Sequence, residues 1–111
     1  MSTPQSQAEL TRRYQELRMD VTETAKKLAE LEGEKQEHKL VIDTLTPMDP
    51  NRKCFRMIGD ILVERSAGEV LPAVQANYEQ ITNVMASLEK IFQEKQKELF
   101  PLQRQLNITQ Q

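Results

Sequence analysis

The sequence predicts a mainly α protein, an antiparallel two-helix coiled coil with a β-hairpin inserted at its bend. Three observations carry this. Two stretches of matching length repeat apolar residues in heptads. Between them lies 51–65, a segment rich in aromatic and β-branched residues on either side of Gly59-Asp60. The composition suits solvated rods better than a round globule: of 111 residues 38% are hydrophobic, 5% aromatic and 29% charged, with no Trp and three Gly. One domain over 1–111 is therefore expected, with a helix at 9–46, the hairpin at 51–65 and a second helix at 66–108.

In the first arm, steps of three and four run unbroken through Leu10, Tyr14, Leu17, Val21, Thr24, Leu28, Leu31, Lys35, His38, Ile42 and Leu45. At about 1.5 Å per residue, a seam of this length reaches roughly 50–55 Å. The passage 46–51 follows, with Pro47 and Pro50 ending the helix.

The hairpin turns at Gly59-Asp60, and a two-residue loop with Gly first is what a type II′ turn requires, because that position needs positive φ. Counting outward pairs Ile58 with Ile61, Met57 with Leu62, Arg56 with Val63 and Phe55 with Glu64. Both faces of the ribbon then carry apolar side chains. Two strands alone bury little and leave both edges open, so the hairpin is expected to complete a sheet with other chains.

Ser66-Ala67-Gly68-Glu69 has the spacing of a capping box and starts the second arm, with Pro72 bending it early or restarting it. Its seam is Leu71, Val74, Tyr78, Ile81, Met85, Leu88, Phe92, Lys95, Leu99, Leu102 and Leu106. Folding back on the first arm brings Leu45 to Leu71, Leu17 to Leu99 and Leu10 to Leu106. Less favourable layers set Val21 against Lys95, Thr24 against Phe92 and Lys35 against Ile81, and polar residues at such positions cost stability while fixing register. His38 falls opposite Tyr78 as a seam pair; a lone His without Cys or carboxylate ligands at metal spacing makes no metal site. Pro101 is expected to bend or fray the end of this arm, and the polar segments 1–8 and 109–111 to be mobile.

Net charge is -2 with a sequence pI near 5.5, and the two signs are interspersed, which argues against nucleic acid as a partner. No window approaches the roughly 18 consecutive apolar residues of a membrane span, and Met1-Ser2-Thr3-Pro4-Gln5 lacks the charged and apolar regions of a signal peptide, so a soluble intracellular protein is expected. The narrow seam and mixed charge do not supply the basic amphipathic face of a membrane-surface helix. The single Cys54 suits a reducing compartment and reads as a small strand residue. No glycine-rich phosphate loop, zinc motif or paired histidines occur, and a two-helix rod offers no dry concave pocket, so neither an enzyme nor a cofactor is expected. Function must then lie in binding. A tether or adaptor coiled coil is the alternative, but it needs only a plain polar turn, not a strand-like ribbon with apolar groups on both faces.

The segment Glu37-His38-Lys39-Leu40-Val41-Ile42-Asp43-Thr44-Leu45, then Arg52-Lys53-Cys54-Phe55-Arg56-Met57-Ile58-Gly59-Asp60-Ile61-Leu62-Val63-Glu64-Arg65 and Val70-Leu71-Pro72, closely resembles the β-class prefoldins of eukaryotes. Asp60 stands where a second Gly is expected, and Gly-Asp still suits the turn. The resemblance implies a cytoplasmic co-chaperone that works without ATP, a heterohexamer of two α-class and four β-class prefoldin subunits. Their hairpins join into a platform from which coiled coils hang, and unfolded actin and tubulin are held at the tips and handed to the cytosolic chaperonin. It makes Phe55, Met57, Ile58, Ile61, Leu62 and Val63 assembly residues. Client-binding tips are expected at Leu10, Tyr14, Leu102 and Leu106, with Ile108 beyond, where the seam runs out of partners.

Overall fold

Long runs of helix-forming residues and few interior breakers give α1, Pro4–Leu45. The proline stands at the first helical position, where its missing N–H costs nothing. The helix therefore starts ahead of residue 9 and takes in residues expected to be mobile. Its end is closed by bonds from Thr46 N to Ile42 O (2.9 Å) and Met48 N to Leu45 O (3.0 Å), just where Pro47 forbids continuation. The computed structural model describes residues 4–110, with side chains for residues 7–107. After α1 come β1 (Lys53–Ile58), β2 (Ile61–Ser66) and α2 (Ala67–Gln110). The fold is the expected one: two long helices with an antiparallel hairpin between them.

The chain divides into two compact units, one of Leu31–Val84 and one holding both chain ends, up to Glu30 and from Met85. In the first, the hairpin has the register read from the sequence: Ile58↔Ile61, Met57↔Leu62, Arg56↔Val63, Phe55↔Glu64, then Cys54↔Arg65 and Lys53↔Ser66. Gly59 has φ 61° and Asp60 is not in the positive region, which is the II′ pattern. Asp49 organises the passage into β1, its carboxylate accepting from Asn51 N (2.9 Å) and its carbonyl from Arg52 N (2.9 Å).

Ser66 ends β2 and caps α2. Its Oγ accepts from Glu69 N at 3.3 Å and donates to Glu69 Oε1 at 3.1 Å, so the glutamate side chain answers the hydroxyl rather than the serine N–H. Ala67 N bonds Arg52 O and Gly68 N bonds Pro50 O, both at 2.9 Å, which ties the start of α2 to the passage before β1. The core of this unit is Leu31, Leu45, Ala67 and Val74. Pro72 does not restart α2, which is helical across it.

In the unit holding the chain ends, α1 and α2 run antiparallel. Arg13 pairs with Glu98 and, further along α1, Asp20 with Lys95, both at 3.0 Å. Leu17, 1% exposed, and Leu106 form its core. Seam residues from Leu10 to Leu28 and from Met85 to Leu106 are buried or half-buried, and the residues between them exposed apart from Thr11, Asp20 and Gln96. Asp20 is the informative exception. Seam Lys95 does not sit unpaired against Val21; its stem lies in the seam and its Nζ reaches the Asp20 carboxylate. Seam Thr24 donates to Asp20 O at 2.7 Å, satisfying its hydroxyl within its own helix. α2 continues as helix through Pro101 to Gln110, so the expected fraying after Phe100 is absent from the secondary structure.

Candidate functional site

The described residues place large apolar side chains in water at distinct positions. On the hairpin, Phe55, Met57, Ile58, Ile61 and Leu62 are exposed, Ile61 most of all at 67%, and Val63 is half-buried. Strand alternation distributes them over both faces: Phe55, Met57 and Leu62 on one, Ile58, Ile61 and Val63 on the other. A two-stranded sheet has nothing of its own to cover either face. The side-chain ion pair Lys53–Glu64, 3.5 Å and largely solvated, adds little to holding the ribbon.

Beside the hairpin is an open groove of ≈ 380 Å³, floored by Val41, Leu45, Val70 and Val74 and rimmed by Glu37, His38 and Arg56, with Cys54 and Phe55 on its β1 side. Cys54 is half-buried with Sγ 3.9 Å from Arg52 O, consistent with a strand residue. His38, expected opposite Tyr78, makes its ring hydrogen bond within its own helix. Its Nδ1 lies 2.7 Å from Glu34 O and donates to that carbonyl, while the Lys35 ammonium stands 5.8 Å from the centroid of the Tyr78 ring. Lys39, on the outer face of α1, is held above the ordinary lysine range by its hydrogen bond to Asp43 and by that carboxylate's charge. It is a solvated i,i+4 pair.

The expected tip behaves differently. Leu10, Tyr14 and Leu102 are half-buried, and Leu106, expected to lack cover, is 6% exposed. The reason is length: α1 begins at Pro4 and α2 runs to Gln110, so Leu106 lies more than a full turn before the helix end. The side chain of Ile108 falls outside the described residues. What this unit does expose are Met19 and Phe100, each at 64%, and Ile91. Met19 joins Tyr14, Arg18, Gln103 and Leu106 around a shallow groove of ≈ 760 Å³; Phe100 stands with Pro101 and Arg104 at another depression. The sequence reading missed these residues because it followed the seam. The available signal was their position off it: a large apolar residue on the face where the heptad calls for polar ones.

The fold is a helical hairpin whose strand ribbon leaves large apolar side chains exposed on both faces. The prefoldin subunit family model matches residues 8–111, and the chain belongs to that family. It is similar to prefoldin subunit 2 of Homo sapiens and of Rattus norvegicus, each 47% identical over 95 residues, 86% of this chain and 62% of the relative. Prefoldin subunit 2 of Arabidopsis thaliana is 40% identical over 110 residues, 97% of this chain and 74% of that one. The chain thus spans 62% of the length of the mammalian relatives it matches. Among solved structures, the crystal structure of the prefoldin beta subunit from Thermococcus strain KS-1 superposes with a TM-score of 0.81, covering 96% of this chain and 93% of that one at 13% identity, a likeness of fold.

Proposed function

We propose that this chain is a subunit of a hexameric prefoldin co-chaperone of the cytoplasm, joined through its hairpin to α-class and other β-class subunits. In that complex it holds unfolded actin and tubulin without ATP and passes them to the cytosolic chaperonin. Membership in the prefoldin family supports the co-chaperone role, and the clients and the chaperonin rest on that membership. The observation that carries the assembly half is the hairpin itself, with large apolar side chains in water on both faces and, among the described residues, no further strand to cover them.

The client half is carried by the exposed apolar groups of the unit holding the chain ends. Met19 and Phe100 are available to an incoming apolar segment, whereas Leu106 already serves the core. Each exposed group is worth on the order of 1.5–3 kcal/mol if fully buried by a client, so one arm binds weakly and several arms gain through effective concentration. The test is light scattering of denatured actin diluted into assembled complexes. Met19→Ser with Phe100→Ser should leave the complex mass unchanged and reduce suppression of aggregation. Unchanged suppression would remove this surface from client capture.

A further inference from the structure

The surroundings of the methionines at described positions divide them. Met48 and Met85 are half-buried, Met85 in the seam of α2, whereas Met19 is 64% and Met57 61% exposed. Met57 lies on a hairpin face that the assembly reading covers with a neighbouring subunit. Met19 belongs to the unit holding the chain ends, two positions past Leu17 and outside the α1 seam. Its thioether is therefore the one that stays in water on the capture surface after assembly.

An exposed thioether reacts with peroxide, and the product is methionine sulfoxide. A sulfur lone pair takes one oxygen of hydrogen peroxide: the S–O bond forms, the O–O bond breaks, and the departing hydroxide collects a proton and leaves as water. Sulfur is oxidised by two electrons and the peroxide reduced by two. A flexible apolar side chain becomes a polar one bearing a strong acceptor, and sulfoxide reductases reverse the change. The groove that Met19 lines also suits that product. Tyr14, Gln15, Arg18 and Gln103 bring donors to the same lining. Arg18 Nη1 donates to the Tyr14 hydroxyl at 3.5 Å, a bond long enough to be exchanged for a better acceptor.

We propose that Met19 is a reversible oxidation site, and that its sulfoxide closes this surface to apolar client segments. An incoming apolar side chain then meets a solvated S–O group whose water it must strip, in place of a thioether it can pack against. The inference rests on the client-capture reading above and adds a modification that turns the capture off and a group on which it acts.

The test treats the assembled complex, containing the full chain, with hydrogen peroxide and locates the added oxygen by peptide mass spectrometry. Met19 should be oxidised well ahead of Met48 and Met85. Binding of denatured actin should weaken about tenfold, as expected when one side chain's apolar burial is lost, and methionine sulfoxide reductase should restore it. A complex carrying Met19→Leu, compared with itself before and after peroxide, should show no such change, although the methionines of the other subunits are oxidised in it too. Oxidation of Met19 no faster than of Met85 overturns the inference, as does an equal loss in the Met19→Leu complex. Met19→Ser, without peroxide, separates the two readings. If it weakens capture while the sulfoxide does not, the oxidation site falls and the capture reading stands; if it leaves capture unchanged, Met19 has no part in capture and both fall.

Discussion

Two glycines in helical segments carry opposite predictions at the residue scale. At Gly33 an added Cβ meets nothing within 4 Å, so Gly33→Ala should raise stability by about 1 kcal/mol, the ordinary helix preference for alanine. At Gly68 the same Cβ would lie 3.1 Å from Pro50 Cβ and 3.2 Å from Pro50 O, a proline ring and a backbone carbonyl that cannot swing aside as a side-chain end would. Gly68→Ala should therefore lower the melting temperature despite the better helix former; a rise like that of Gly33→Ala would mean the passage can shift. The sequence carries no sign of this difference, because Gly68 is constrained by a residue across the hairpin from it. Ser66 was legible, since a capping box is local. Ser66→Ala should cost about 1 kcal/mol in thermal unfolding and Ser66→Asp much less, as expected where the side-chain oxygen does the capping. Equal losses for both would place the role elsewhere.

At the scale of elements, the seam and its charged flank should contribute very unequally. Leu17 is 1% exposed, and Leu17→Ala should cost about 2–5 kcal/mol by removing packed methyl groups and leaving a cavity. Arg13 and Glu98 are half-exposed at 3.0 Å, and Arg13→Ala should cost at most about 1 kcal/mol, less at high salt. Comparable losses in circular dichroism melts would contradict the packing account. The heptads gave away which positions face inward, and the turn chemistry gave away the hairpin register, because both are periodic and local. They gave no view of Asp20 meeting Lys95 or Lys35 lying near Tyr78, since long side chains choose partners off the layer they start from. Pro72 and Pro101 show the limit of local chemistry. It expects a bend or a restart at the first and a bend or fraying at the second; α2 is helical through both, so neither the restart nor the fraying occurs, as tertiary packing of an amphipathic stretch can override one missing bond.

For the whole molecule, the proposed capture of clients through Met19 and Phe100 makes a prediction that separates it from charge-based holding. Raising ionic strength from about 0.1 M to about 1 M shortens the screening length from roughly 10 Å to roughly 3 Å. Suppression of actin aggregation should survive that change if apolar contact carries it; a collapse would assign capture to the charged helix faces. The helical class, the hairpin with its turn type and pairing, and the family were all legible along the chain, because heptad spacing, a Gly-first turn and a long recognisable segment are local. What stands open to water emerged only from the packing. Leu106 proved covered and Met19 and Phe100 exposed, and the groove of Val41, Leu45, Val70 and Val74 opened beside β1. Exposure depends on where helices begin, end and face each other, and those are relations between residues far apart in the chain that no local pattern encodes.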